Sequence, residues 1–193
     1  MQAQVLLLVL GFILTTVVGG LLGSYFQNRN WKHQNRVKLA ESERIAATQI
    51  FEGISSLMDK RVYRMMQLNW KLRNDATDND ILAKQMENYR EVVYEWNDNL
   101  NRNLALTQSY FGTKVRKYLE GTIYEKFAAI GANLEKGYAE RKKTGRADEF
   151  KKTTLGLTNL RNNIYNVNVQ MISLIQKSEV GIFNPDIKAE KDS

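Results

Sequence analysis

An uncharged, apolar stretch near the N-terminus is the feature that most limits how this chain can fold. Residues 5–26 read VLLLVLGFILTTVVGGLLGSYF, and the first charged side chain is that of Arg29. As a helix the stretch would be about 33 Å long at about 1.5 Å per residue, close to the thickness of a bilayer's hydrocarbon core. Because lipid offers the backbone no hydrogen bonds, a single span must be helical. The sequence therefore predicts a transmembrane anchor over residues 1–27.

A cleavable signal peptide is the alternative interpretation of this stretch. Such peptides begin with basic residues, have a shorter apolar core and end at a cleavage site of small residues. Here residues 1–4 read MQAQ without Lys or Arg, the apolar core is long, and no Ala-x-Ala-like site follows it. These differences favour an uncleaved anchor.

Basic residues after the anchor predict where the membrane surface lies and which way the chain crosses it. Positive charge beside a span attracts anionic headgroups, and a tryptophan there suits the aromatic belt. The positive-inside rule also predicts a C-terminal domain in the cytoplasm, at what we expect to be a bacterial inner membrane. The predicted membrane-surface residues lie in a basic helical neck over residues 28–43 and are Arg29, Trp31, Lys32, Arg36 and Lys38.

Small residues recur four apart within the anchor, at Gly11, Thr15, Gly19 and Gly23. On a helix they share one face, and such stripes let two transmembrane helices approach closely. The alternative is that glycine is simply common in transmembrane helices. Because four positions align, the pattern favours a transmembrane packing face, which would allow a homo-oligomer.

The rest of the chain carries the repeat pattern of helices. Apolar residues recur at spacings of three and four, which is the period of a helix and not of a strand. Four such runs of similar length predict an all-α fold, in which the transmembrane helix continues into an antiparallel, coiled-coil-like four-helix bundle over residues 44–178. The first run consists of Ala47, Ile50, Ile54, Leu57, Arg61, Met65, Leu68 and Leu72, with Arg61 as its one charged member.

Three further expectations concern the details of this bundle. Gly112 predicts a break between the second and third helices, although one continuous helix is the alternative because an interior glycine costs only about 1 kcal/mol. Residues 179–193 contain the only proline, Pro185, and alternating charges, which predict an extended or mobile tail. Bulky aromatic residues predict a core wider than that of a two-stranded coiled coil, formed by Trp70, Trp96, Phe127, Tyr89 and Tyr138.

The composition argues against several kinds of chemistry. The chain has no cysteine and one histidine, His33, which excludes thiolate chemistry and leaves little room for a histidine-based site. The glutamates of the second and third helices lack the Glu-x-x-His pairs of known two-metal bundles. The sequence therefore predicts no cofactor, no metal, no catalytic residue and no enzymatic activity.

A cluster of basic and aromatic residues superficially resembles a nucleic-acid surface. It consists of Lys60, Arg61, Tyr63, Arg64, Trp70, Lys71 and Arg73. Stacking aromatics and basic side chains are the chemistry that single strands require. The aromatic residues, however, fall near the core phase of the helix, and acidic residues share the helix, so a solvated face is favoured over a nucleic-acid partner.

These observations together predict a membrane-tethered, non-enzymatic helical scaffold or adaptor that recruits a protein partner at the cytoplasmic membrane face. The sequence does not specify that partner. The alternative is an extracytoplasmic sensor or structural protein of the envelope, against which stand the missing second span and the flanking charges. A hydrolase with an unfamiliar site ranks last.

Overall fold

The computed structural model describes the backbone of residues 2–74, 77–144 and 150–191, and most side chains from residue 11 to residue 189, apart from those at 75–76, 145–151 and 188. Within these ranges the chain is helical with short connections and no strand, which confirms the all-α prediction. The helices are α1 (Gln2–Arg73), α2 (Asn79–Tyr118), α3 (Glu125–Thr144), α4 (Phe150–Gln176) and α5 (Pro185–Lys191), with a π-helical turn at Leu119–Tyr124 and a 3-10 turn at Gly181–Phe183.

The chain divides into two compact units, residues 1–42 and residues 43–193. The first unit is the N-terminal part of α1, where the Thr15 hydroxyl donates to the Gly11 carbonyl oxygen at 2.8 Å. Among the residues that the structure describes, no helix contains a stretch long and apolar enough to cross a membrane. The side chains of residues 1–10, which belong to the predicted anchor, lie outside the described part of the chain.

Two hydrogen bonds show how α1 and α4 run in the second unit. Asn69 Nδ2 donates to Thr154 Oγ1 at 3.1 Å, and Asn168 Nδ2 donates to Ser55 Oγ at 2.8 Å. Because residue numbers rise along α4 as they fall along α1, the two helices are antiparallel. The second unit is accordingly a helical bundle, as predicted.

The chain reverses direction at Gly112. This residue has φ 86° and ψ 169°, a conformation adopted almost only by glycine. Arg90 Nε and Glu135 Oε1 lie 3.6 Å apart, whereas one continuous helix would separate the two residues by about 68 Å at about 1.5 Å per residue. The predicted break is therefore present, and helical conformation resumes directly after it.

The face predicted for α1 packs into the core, including its charged member Arg61. Arg61 is 4% exposed, and its guanidinium carbon lies 4.4 Å from the Phe127 ring centroid and 5.6 Å from that of Trp96. Burial lowers the pKa of Arg61, an effect opposed by its charge interaction and hydrogen bond with Tyr89. The Nε and Nη1 atoms have no hydrogen-bond partner among the described residues. A buried cation is thus held mainly by aromatic faces and one phenol oxygen.

Arg141 of α3 fastens the end of α1. Its Nη1 donates to the Leu72 carbonyl oxygen at 2.8 Å and its Nη2 donates to the Thr77 carbonyl oxygen at 3.2 Å. The last carbonyl groups of a helix have no partner within the helix, so a cation there supplies the missing donors. The side chain is buried and links α3 to the connection between α1 and α2.

The C-terminal segment differs from the extended conformation that its composition predicts. After α4 the chain forms the 3-10 turn and α5, with Val180 and Asn184 buried. Asn184 Nδ2 donates to the Tyr110 carbonyl oxygen at 3.4 Å, and Lys114 Nζ lies 3.1 Å from Asp186 Oδ1. The reason is the bend at Gly112, which exposes backbone that this segment covers.

One of the aromatic residues predicted in the core lies outside it. Trp96, Phe127 and Tyr89 are buried and Tyr138 packs partly against the core, but Trp70 is 60% exposed. The prediction for Trp70 is therefore wrong. It rested on size and on a helical phase judged to lie near that of the core, whereas Trp70, two residues from the buried Leu68, lies on another face of the helix.

The pair formed by Arg61 and Tyr89 generates a first prediction. Tyr89→Phe leaves the buried guanidinium without its phenol acceptor, so we expect the free energy of unfolding to fall by about 1–3 kcal/mol. Adding Arg61→Met to this variant removes the uncompensated charge and should restore stability to within about 1 kcal/mol of the parent chain. Urea denaturation followed by circular dichroism measures both. A double variant less stable than Tyr89→Phe alone would contradict this account of the core.

The bend generates a second prediction. An alanine at Gly112 would need a backbone conformation that costs about 1–3 kcal/mol, and its Cβ would lie 3.2 Å from Asp186 Cβ. We expect Gly112→Ala to lower the free energy of unfolding by at least that amount. Gly53→Ala is the matched control, because a Cβ there meets nothing within 4 Å and alanine in a helix interior stabilises by about 0.5–1 kcal/mol. Equal effects of the two substitutions would refute the role of Gly112.

Candidate functional site

A groove between α1 and α4 is the best-defined candidate site among the described residues. It has a volume of about 330 Å³, at the lower end of the range for ligand pockets. We call it the α1–α4 groove. Its lining consists of Met66, Asn69, Trp70, Arg73, Thr154, Leu157, Thr158, Arg161 and Asn162.

The floor of the groove combines an apolar and a polar residue, both buried. Leu157 belongs to the core, while Asn69 is 5% exposed and donates from Nδ2 to Thr154 Oγ1. Asn69 Oδ1 has no hydrogen-bond partner among the described residues. A buried acceptor without a partner costs about 1–3 kcal/mol, so this amide lowers the stability of the contact between the two helices.

The charged residues described in the groove are all basic. Among the described residues of its lining, two are arginines, Arg73 and Arg161, and none is Asp or Glu. Arg73 Nη1 lies 3.5 Å from Thr154 Oγ1, a long contact that leaves most of its donors for other groups. In a chain with a formal net charge of +7, this arrangement attracts anionic groups.

Trp70 gives the groove an apolar wall. Met66 lines the groove with it, and the Lys71 Nζ atom lies 4.7 Å from the Trp70 ring centroid. A cation at this distance is attracted to the ring face and adds positive charge next to the wall. Each of the two helices carries a further exposed aromatic residue, Tyr63 on α1 and Tyr165 on α4. These features make the α1–α4 groove basic, aromatic and partly apolar.

The exposure of these aromatic residues bears on the nucleic-acid surface that the sequence analysis disfavoured. Tyr63 and Trp70 are exposed, so a nucleic-acid surface cannot be set aside on the ground that they belong to the core. Arg61, in contrast, is buried and cannot contact a partner at the surface. The sequence signal that would have found the groove is the phase of Trp70 relative to the buried residues of α1.

A second groove lies between α1 and α2 and is larger, at about 440 Å³. Its described lining has two basic residues, Lys60 and Arg102, and Lys60 is already paired with Glu95, with Nζ and Oε2 2.5 Å apart. Both side chains are about half exposed, so the pair contributes little to stability. With its charges partly neutralised, this groove offers a ligand less than the α1–α4 groove does.

The residues predicted to meet the membrane surface all lie on α1 and are exposed. At 3.6 residues per turn, Arg29, Lys32 and Arg36 share one face of the helix, and Trp31 and Lys38 share the opposite face. The predicted packing residues Gly11, Thr15, Gly19 and Gly23 form an exposed stripe along α1, and a Cβ added at any of the three glycines would meet nothing within 4 Å. Contact of either set with lipid or with a second chain stays a prediction.

Within the described residues, no group of three His, Cys, Asp or Glu side chains is placed to hold a metal ion. The groove itself contains donors, two cations and an indole ring, which are groups that recognise a ligand. No protein-family model, no curated protein and no solved structure matches the chain.

Proposed function

We propose that this protein is a membrane-tethered, non-enzymatic scaffold that recruits a protein partner through the α1–α4 groove. The observation that carries the proposal is the combination of exposed Trp70 with two arginines over a buried amide. Tryptophan and arginine are the residues most enriched at the energetic centres of protein interfaces. The described part of the lining includes no histidine and no carboxylate that could serve as a general base, which supports recognition over catalysis.

The tether is proposed from the N-terminal part of α1. Large apolar side chains are exposed along it, and a contiguous apolar surface of this kind marks contact with a membrane or another protein. The basic residues from Arg29 onward would then rest on anionic headgroups and orient the bundle toward the cytoplasm. The exposed apolar residues are Phe12, Ile13, Leu14, Val17, Val18, Leu21, Leu22, Tyr25 and Phe26.

Site-specific photo-cross-linking in cells followed by fractionation tests both halves of the proposal. A photoreactive phenylalanine analogue replaces Trp70 in the full chain, and in a control chain it replaces Tyr94 of α2. The two positions are matched because their exposures are 60% and 64%. We expect a discrete cross-linked product at position 70 that stays in the membrane fraction after an alkaline carbonate wash. Products of equal yield at both positions would contradict recruitment through the groove.

A pair of lysines then tests the tether in the same assay. Lysine at the centre of a span costs about 2.5–3.5 kcal/mol, so the double variant Val17→Lys/Leu21→Lys should move the chain and its cross-linked product into the soluble fraction. The control pair Leu155→Lys/Ile182→Lys alters exposed apolar residues of the bundle and should change nothing. Retention of the first pair in washed membranes, or a parent chain that the wash removes, would refute the tether.

A further inference from the structure

The geometry of the α1–α4 groove points to a particular kind of partner. We propose that it binds an extended acidic peptide segment of the form Glu-x-Leu-x-Glu, in which Asp can replace Glu and another large apolar residue can replace Leu. This inference rests on the proposed function, since it names the chemistry of the recruited partner.

The spacing of the two arginines sets the spacing of the acidic residues. Asn69 and Thr154 lie side by side, with Arg73 four residues beyond the first and Arg161 seven residues beyond the second. Because α1 and α4 are antiparallel, the two arginines are displaced in opposite directions, by about 16 Å along the helix axis at about 1.5 Å per residue. The charges lie closer together than these backbone positions, because the Arg73 side chain already turns back to Thr154, with Nη1 3.5 Å from Thr154 Oγ1. Both side chains are long enough to adjust the distance between the two charges.

An extended peptide matches this spacing on one of its faces. Side chains at positions i, i+2 and i+4 of a strand point the same way and span about 13 Å. Two carboxylates at i and i+4 can therefore meet Arg73 and Arg161, and an arginine fork binds a carboxylate through two parallel hydrogen bonds. The side chain at i+2 then falls between the arginines, where Met66 and Trp70 form the apolar wall.

The apolar wall distinguishes a peptide from a purely anionic ligand. A phosphate or another small anion has no apolar group to place against Met66 and Trp70. A peptide that carries a large apolar side chain between two carboxylates meets the arginines and the apolar wall of the groove together.

Fluorescence anisotropy tests the inference on the full chain in nanodiscs of neutral lipid. The probe is an end-blocked, fluorescein-labelled peptide, Ser-Glu-Ser-Leu-Ser-Glu-Ser, and the control peptide has glutamine in place of both glutamates. We expect the chain to bind the probe at least tenfold more tightly than the control. Arg73→Gln and Arg161→Gln should each weaken binding about tenfold, because each removes a charge-assisted contact.

Matched variants separate the groove from the general positive charge of the chain. Arg102→Gln removes an arginine that lines the other groove and should change the affinity less than twofold. Trp70→Ala should weaken binding about tenfold, whereas Tyr94→Ala, at a similarly exposed aromatic residue, should not. Circular dichroism confirms that each variant retains its helices.

Several results would overturn the inference. They are an absence of binding, equal affinity for the glutamine peptide, and an Arg102→Gln effect as large as that of Arg161→Gln. Tighter binding of an oligothymidylate that Arg161→Gln abolishes would instead assign the groove to nucleic acid. Self-association of the chain that Trp70→Ala abolishes would assign it to a second copy.

The peptide assay and the cross-linking assay can fail separately. If cross-linking at position 70 persists while the peptide does not bind, recruitment through the groove stands and the acidic-peptide inference is wrong. If the peptide binds while position 70 gives no cross-linked product in cells, the groove has the inferred chemistry and recruitment in the cell is refuted.

Discussion

The rotational setting of α1, meaning which face of this helix is turned toward the core, is the constraint on which the rest of the bundle depends. Arg61 is buried against Phe127 and Trp96 and hydrogen-bonded to Tyr89, so three side chains from α2 and α3 fix the face that α1 turns inward. Rotating α1 to release the cation would break this layer and expose the leucines on the same stripe. The same setting directs Trp70 outward, because a residue two positions from a buried one lies on another side of a helix.

Because α4 packs against α1 in this setting, the α1–α4 groove forms between the two helices. The contact from Asn69 to Thr154 and that from Ser55 to Asn168 hold the two helices side by side with polar groups. On α4 the positions that face the groove are Thr158, Arg161 and Asn162, whose side chains leave space next to Trp70. Polar pairing between the helices thus fixes their register and leaves a basic groove open on their outer side.

The sequence predicted the helices and most of the core because their signals are local and periodic. The face that runs through Arg61 and Leu68 follows from spacing alone, and Gly112 could be expected to interrupt a helix since glycine adopts conformations that other residues avoid. The conformation of the C-terminal segment could not be predicted, because it depends on backbone that the bend at Gly112 presents from a distant part of the chain. The groove was missed because Trp70 was assigned to the core by its size and by a helical phase judged to lie near that of the core.

One setting of α1 both buries the layer around Arg61 and leaves Trp70 open to a partner, and this is the central claim. Hydroxyl-radical footprinting of the full chain in nanodiscs, read residue by residue by mass spectrometry, tests it most directly. We predict that Trp70 and Tyr165 are oxidised several times faster than the buried Trp96 and Tyr89. Trp70 protected as strongly as Trp96 would contradict the claim, because α1 would then have a different face in the core.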